Sequence, residues 1–317
     1  MSFIEWLHRG KLPRELVGGK AASLSDMLAG GFAVPLGFAV TSEGYRSFEE
    51  STRLGEQLGE ASRGLDPRDF AAVRAFSALA CAAVADSELP GELRQEIAGA
   101  YDELVSLSGL ASAVRSSAVS EDGAGASFAG LYESYLNVLG INDVLASVRL
   151  CYASLWSERA VRYRTLKGGG VDGEAMAVVV MGLVPSETSG IAFTAHPVTG
   201  DRDRVVINSS FGLGEAIVSG RVTPDSFVVH KDSLALLERE IYEKQLAIYP
   251  HPDGGGTIER ELDGPRAAAP SISDDEAKAV ASIALKVEQH FGSPQDVEWG
   301  MAAGQIYLLQ SRPITTL

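Results

Sequence analysis

The longest uninterrupted apolar run in this sequence extends from Ala175 to Val184. It is too short to cross a bilayer as a helix, and its valines favour a buried β-strand. The glycine-rich stretch Lys167 to Gly170 lies just before it and is typical of a flexible joint. We therefore expect no membrane span, and we expect two lobes, an N-terminal one over residues 1–170 and a C-terminal one over 171–317.

The composition fits an ordinary globular protein. A chain of 317 residues is long enough for two lobes, and 45% hydrophobic with 22% charged residues excludes disordered and fibrous classes. A formal charge of −15 repels phosphate backbones and predicts no nucleic-acid partner. Cys81 and Cys151 form no disulfide framework and lack metal-ligand spacing. The N-terminus lacks a secretory leader pattern, so we expect a cytoplasmic protein without a membrane partner.

Hydrophobic periodicity predicts helices and strands in mixed order, which indicates an α+β fold. One predicted helix begins at Lys20, and two more lie within 70–107, separated at Pro90-Gly91. A fourth covers about 142–164, and a fifth follows a Ser273–Glu276 capping box. The predicted strands lie at 37–40, 175–184, 191–193, 205–207, 296–299 and 305–312. Residues 250–270 are rich in glycine, proline and charge, and we expect them to form an exposed excursion.

The last two strand segments predict a hairpin with a defined pairing. If the loop is Ala303-Gly304-Gln305, Glu298 faces Gln310 and Asp296 faces Arg312. A carboxylate beside an amide oxygen offers hard ligands to a magnesium ion, and an arginine on the same face can bind a phosphate oxygen. The alternative is a solvated hairpin with an ordinary Asp–Arg pair.

Two cations follow or precede glycine-rich segments. Lys20 follows Gly18-Gly19 but does not fit the P-loop pattern, so it is either a surface lysine or a phosphate contact presented by a loop. Arg115 precedes the small-residue loop 121–130, whose backbone N–H groups are typical of a phosphate cradle. A surface salt bridge is the alternative for Arg115.

Taken together, these segments resemble the ATP-binding domain shared by phosphoenolpyruvate synthase, pyruvate phosphate dikinase and rifampicin phosphotransferase. The resemblance covers nearly the whole chain and implies a two-lobed, ATP-grasp-type nucleotide-binding domain. The matching stretches are Leu16–Leu24, Val34–Thr41, Ala113–Ala118, Ala126–Gly130, Asp296–Trp299 and Leu309–Thr315. Several separated motifs in the right order are more specific than one.

The resemblance implies roles for residues of the first lobe. Lys20 and Arg115 are similar to the cations on the ATP phosphates, and Gly130 and Ser134 are similar to contacts of the phosphate loop. The sequence departs from the family at the strand that meets the adenine, where Val180-Met181 stands in place of a segment that usually carries glutamine. Two alternatives follow: base recognition is altered, or it is left to backbone groups and the packing of Met181.

For the C-terminal lobe, the resemblance implies that Glu298 and Gln310 are the magnesium and phosphate ligands. Arg312 resembles the arginine that stabilises phosphoryl transfer. Lys20, Arg115 and Arg312 would then form the catalytic set, with ATP and magnesium as cofactors.

The family passes phosphate from ATP to a histidine on a separate carrier domain and releases AMP and phosphate. None of the five histidines of this chain lies in a segment that resembles the carrier motif, and for His196 we prefer a structural role. We therefore expect the carrier histidine on another subunit or elsewhere in a longer polypeptide. The competing interpretation is a nucleotide-sensing or regulatory module without transfer chemistry, although a sensor has less need of the catalytic set.

Overall fold

The structure is a computed structural model that describes residues 2–109, 111–119, 133–166 and 175–315. Its elements confirm the predicted α+β class. The chain forms two compact units, one built from Met1–Ser25 and Leu36–Gly182, the other from Asp26–Pro35 and Leu183–Leu317. The strand near residue 180 follows the predicted boundary at residue 170, but it pairs with strands of the first unit and belongs to that unit.

The first unit contains a five-stranded antiparallel sheet. Its strands are β1 (Ile4–Trp6), β2 (Gly37–Val40), β3 (Ser112–Ala118), β4 (Ser134–Val138) and β5 (Met176–Gly182). Their order in the sheet is β1-β2-β5-β3-β4, so the apolar β5 lies at the centre. Every residue of β5 is buried, which confirms the strand predicted from the apolar run.

Seven α-helices and a short 3-10 helix (Leu7–Arg9) belong to the described part of the first unit's sequence, although the last four residues of α1 lie in the second unit. They are α1 (Arg14–Ala29), α2 (Ser42–Thr52), α3 (Leu54–Ser62), α4 (Phe70–Asp86), α5 (Gly91–Ser108), α6 (Ile141–Ser154) and α7 (Glu158–Leu166). The predicted break at Pro90-Gly91 is confirmed between α4 and α5. One hydrophobic cluster joins α2 and α4–α7 to the sheet through Phe38, Val114 and Val178, and α3 packs against it.

The single helix predicted over 142–164 is wrong, because the chain turns between α6 and α7. Leu155 and Trp156 are both buried, and the Ser77 hydroxyl donates a 2.7 Å hydrogen bond to the Trp156 carbonyl. The Ser157 hydroxyl then accepts a 3.4 Å bond from the Ala160 amide at the start of α7. Burying a tryptophan at this point interrupts a helix that periodicity alone would continue.

The second unit contains a six-stranded antiparallel sheet and a separate two-stranded hairpin. Its strands are β6 (Thr188–Phe193), β7 (Arg204–Phe211), β8 (Asp225–His230), β9 (Leu236–Glu240), β10 (Leu246–Pro250), β11 (Thr257–Glu261), β12 (Gln295–Ala302) and β13 (Gln305–Pro313). The order in the larger sheet is β13-β12-β6-β7-β8-β9, and β10 pairs with β11. The predicted excursion at 250–270 therefore carries regular structure.

Three helices complete the described second unit: α8 (Glu215–Val218), α9 (Gly264–Ala268) and α10 (Asp274–Phe291). The predicted capping box at the start of α10 is confirmed. Ser273 accepts a bond from the Glu276 amide, and the Glu276 carboxylate accepts one from the Ser273 amide. This reciprocal cap satisfies two donors that a helix start leaves without a partner.

A completely buried ion pair fastens residues 241–271 to strand β8. Lys244 Nζ lies 2.5 Å from Asp225 Oδ1, and both side chains are 0% exposed. The ammonium also donates to the Tyr242 carbonyl, at 2.7 Å. Asp225 Oδ2 accepts 2.7 Å bonds from the amide and the hydroxyl of Ser271. Full hydrogen bonding allows these two charges to be buried.

The terminal hairpin is built differently from the predicted one. Its loop has two residues, Ala303 and Gly304, because Ala302 pairs with Gln305. A β-bulge then shifts the register between Glu298 and Trp299. The extra residue of the bulge compensates for the shorter loop, so the pairing beyond it is the one that the three-residue loop predicted.

Replacing Ala303 by asparagine is expected to stabilise the second unit by about 0.5–1 kcal/mol. Ala303 and Gly304 both have positive φ, 49° and 74°, as a type I′ turn requires. Asparagine tolerates this conformation better than alanine. Denaturant unfolding checks the gain, and Ala302→Asn, inside the strand, is the matched control without a gain. Equal stability of Ala303→Asn and the original chain would contradict the assignment.

Among the described residues, no single helix is long and apolar enough to span a membrane. The bent pair α4 and α5, at 75° to each other, passes a test of length and composition taken together. Both helices contribute buried side chains to the core of the first unit.

Candidate functional site

The hairpin of the second unit brings together the predicted metal ligands. Glu298 on β12 is the direct cross-strand partner of Gln310 on β13, which confirms the predicted pairing. Directly opposite residues project from the same face of a sheet. Gln310 is buried, at 4% exposure, whereas Glu298 is half-buried. A carboxylate and an amide oxygen therefore lie side by side.

Asp296 and Arg312 form the second pair of this face. Arg312 Nε and Nη2 lie 2.8 and 2.6 Å from the same oxygen, Asp296 Oδ2. The Asp296 side chain is 9% exposed and that of Arg312 is 29% exposed, so the pair is partly shielded from water. Charge-assisted bonds of this kind fix the plane of a guanidinium group. The pair thus holds Arg312 on the face that carries Gln310.

Lys20 of the first unit follows a break in α1. Gly18 has φ 74° and ψ 174°, which is not helical, and the helix restarts immediately after it. Lys20 therefore lies in the first turn of the second helical segment, and it is 7% exposed. The prediction that Gly18-Gly19 precedes the helix is right for this segment, but a further helical turn begins at Arg14.

Arg115 lies in the middle of β3 rather than at its end. Its cross-strand partners are Ser134 on β4 and Val179 on β5. Met181, two residues along β5 from Val179, pairs with Ala113 and therefore shares a face with Arg115. The sheet thus brings Arg115, Ser134 and Met181 to one face.

Met181 is almost completely buried, at 2% exposure, and packs against the backbone of β2. A Cβ atom built on Gly37 would lie 2.7 Å from the Cβ of Met181. Only glycine at position 37 leaves room for this approach. Gly130, the remaining predicted phosphate contact, lies outside the described residues.

The donor set fits magnesium bound together with phosphate better than a metal held by protein alone. No group of three or more histidine, cysteine, aspartate and glutamate side chains gathers as a metal site in the described ranges. Magnesium characteristically uses one or two protein oxygens and takes its other ligands from phosphates and water. Glu298 and Gln310 would supply two such oxygens.

The cysteines are shielded to different degrees, and His196 caps a turn. Burial raises the pKa of the Cys81 thiol, which disfavours its reactive thiolate, and Cys151 is completely buried. His196 Nδ1 accepts bonds of 3.2 and 3.3 Å from the amides of Val198 and Thr199, which caps a turn. This agrees with the structural role preferred for His196.

The structure adds two features that no sequence pattern indicates. Ser117 of β3 hydrogen-bonds through its hydroxyl to Val17 and Ala21 of α1, but no pattern distinguishes it from the adjacent Ser116. The buried pair of Asp225 and Lys244 was not predicted either, because lysine is seldom completely buried. A contact between residues far apart in sequence leaves no periodic signal.

The chain is similar to known proteins over its whole length. Residues 14–317 match the family described as "Pyruvate phosphate dikinase, AMP/ATP-binding domain". The chain is 39% identical over 100% of its length to a probable phosphoenolpyruvate synthase of Methanocaldococcus jannaschii, covering 27% of that protein. It is 38% identical over 99% of its length to phosphoenolpyruvate synthase of Pyrococcus furiosus, covering 44% of it.

A third relative is phosphoenolpyruvate synthase of Aeropyrum pernix, which is 41% identical over 95% of this chain and of which the match covers 40%. In each case, the chain spans less than half the length of the relative. The match to the family extends from α1 through the terminal hairpin, and so includes Lys20, Arg115, Glu298, Gln310 and Arg312. The chain belongs to the pyruvate phosphate dikinase AMP/ATP-binding domain family.

Proposed function

We propose that this chain is the ATP-binding and activating component of a dikinase-type phosphotransferase. It would use ATP and magnesium to phosphorylate a carrier histidine on another domain or subunit, with AMP and phosphate as products. The observation that carries this proposal is the hairpin register, which sets Glu298 beside Gln310 and Arg312 beside Asp296. The family's AMP/ATP-binding description and the names of the relatives support it.

The reaction needs a defined balance of groups. Two phosphoanhydride bonds of ATP break: one as the histidine nitrogen forms a bond to phosphorus, and the other as water attacks the remaining phosphoryl group. AMP and phosphate leave, and one phosphoryl group stays on the histidine. We assign an ATP-grasp-type architecture to the nucleotide-binding region, with the first unit as the lobe of Lys20 and Arg115 and the second as the lobe of the metal-binding hairpin.

In the first unit, cations would contact the phosphates of ATP and an apolar side chain would contact the base. Lys20 and Arg115 bind phosphate oxygens, and Gly130 with Ser134 contributes contacts from the phosphate loop. Met181 packs against the base. Preorganised cations are effective because they stabilise developing charge without having to reorganise during the reaction.

In the second unit, Glu298 and Gln310 would hold magnesium, which when bound neutralises charge on the phosphates. Arg312, held in place by Asp296, would stabilise the phosphoryl group during transfer.

Titration with ATP in the presence and absence of magnesium tests the binding half of the proposal. Saturable, magnesium-dependent binding is expected, with no AMP formed by the chain alone. Addition of the cognate histidine carrier domain should then produce AMP. Magnesium-dependent binding without AMP in the presence of that carrier would instead favour a nucleotide-sensing module.

Glu298→Ala and Arg312→Ala are expected to affect different steps. Loss of Glu298 should weaken magnesium-dependent ATP binding by about tenfold or more, because a metal ligand disappears. Loss of Arg312 should slow AMP formation by about a hundredfold and change affinity less. Calorimetry and single-turnover AMP release measure the two effects.

Gln305→Ala, at the exposed turn end of the same hairpin, is the matched control and should change neither quantity. A further check is the magnesium dependence itself, which Glu298→Ala should largely abolish. Unchanged affinity and unchanged transfer in both site variants would show that the hairpin is not the metal and phosphate site.

A further inference from the structure

Ser117 connects the two halves of the broken helix α1. Gly19, Lys20 and Ala21 form the first turn after the break at Gly18, and first-turn amides have no acceptor within the helix. The Ser117 hydroxyl accepts a 3.1 Å bond from the Ala21 amide and donates a 2.8 Å bond to the Val17 carbonyl. One hydroxyl therefore caps the second segment and satisfies the end of the first.

The contact between Ser117 and the break at Gly18 is close and is shielded from water. Ser117 is 0% exposed, so water does not compete for these bonds, and an unsatisfied group here would be costly. A Cβ atom built on Gly18 would lie 1.9 Å from the Ser117 carbonyl oxygen and 2.5 Å from its hydroxyl. The break in the helix thus rests directly on the backbone of β3.

This contact sets the position of one cation relative to another. Lys20 is two residues after Gly18 along the helix, and Arg115 is two residues before Ser117 on the same face of β3. We infer that Ser117 is a positioning residue, which fixes the start of the Lys20 helical segment on the strand that carries Arg115. The inference rests on the proposed function, in which both cations bind the phosphates of ATP.

Ser116 provides a matched control on the adjacent position of the same strand. It is also 0% exposed, and its hydroxyl also donates a bond to a carbonyl, that of Glu133, at 3.1 Å. Its side chain projects from the opposite face, because neighbours on a strand alternate. Ser116→Ala and Ser117→Ala therefore remove equivalent buried hydroxyls, but only the second loosens the helix of Lys20.

The test compares affinity for magnesium–ATP and hydrogen exchange at the Ala21 amide. Ser117→Ala should weaken affinity by about tenfold and speed exchange of that amide, whereas Ser116→Ala should leave both within about twofold. Ser117→Cys changes a single atom and serves if the alanine variant fails to fold, with an affinity loss of about threefold because sulfur is a weak hydrogen-bonding partner.

A double-mutant cycle separates positioning from mere stabilisation. In a Lys20→Met background, Ser117→Ala should have no further effect on affinity, because its effect acts through Lys20. Additive effects, or equal losses in the Ser116 and Ser117 variants, would overturn the inference while leaving the proposed function intact. Absence of magnesium–ATP binding by the unmodified chain would overturn both.

Discussion

Replacing Asp225 by asparagine is expected to lower the free energy of unfolding of the second unit by about 3–5 kcal/mol. The substitution keeps the size of the side chain but leaves the Lys244 ammonium, 0% exposed, without its counter-charge. It also places an amide where the carboxylate accepts bonds from Ser271 and Tyr242. Hydrogen exchange along a denaturant series, followed on peptides of the second unit, measures the loss.

Two comparisons isolate the buried charge as the cause. Asp275→Asn removes the partner of Lys278 in a pair whose side chains are 94% and 40% exposed, and it should be nearly neutral. The double variant Asp225→Asn with Lys244→Met should be more stable than Asp225→Asn alone, because no unpaired charge remains. A loss below about 1 kcal/mol for Asp225→Asn would contradict this account.

Gly18→Ala is expected to destabilise the first unit by about 3–4 kcal/mol, combining backbone strain with a steric clash. At φ 74° and ψ 174°, position 18 occupies a region that is essentially restricted to glycine. The added methyl group would also meet the Ser117 carbonyl oxygen at 1.9 Å, which forces the helix away from β3. Exchange of first-unit amides in denaturant measures the change.

Gly64→Ala is the matched control for the strain component. Gly64 has a φ of 83°, but a Cβ atom there would have no atom within 4 Å. We expect about 1 kcal/mol of destabilisation at that site, from the positive φ alone. Equal losses at positions 18 and 64 would show that the close approach to Ser117 is not what requires glycine.

In the terminal hairpin, the sequence predicted which side chains share a face but not the length of the loop. Alternation along the two strands placed Asp296 with Glu298, and Gln310 with Arg312, because a side-chain period of two is a property of any extended chain. The predicted loop was one residue longer than the observed loop, and the predicted partners face each other only because the bulge adds a residue. A bulge depends on how a strand fits its neighbours, so local pattern did not predict it.

Some helix boundaries also follow from local sequence, whereas others depend on tertiary contacts. Proline and glycine act locally, and the break at Pro90-Gly91 followed directly from them. The turn at Leu155 and Trp156 accompanies burial of the tryptophan side chain in the hydrophobic cluster of the first unit, and the local sequence does not specify that burial. Glycine, proline and charge predicted an exposed excursion at residues 250–270. Most of these residues are exposed, yet strand β11 and helix α9 form there.

By itself, the sequence determined the α+β class, the central apolar strand, the capped helix α10, the shared faces of Asp296 with Glu298 and of Gln310 with Arg312, and the family resemblance, because each depends on short-range periodicity or on motifs in order. Only the tertiary structure decided that Gly18 rests on Ser117 and that Lys244 is buried against Asp225. These contacts join residues distant along the chain. Their energies come from desolvation and close packing, which exist only once the surrounding elements have assembled.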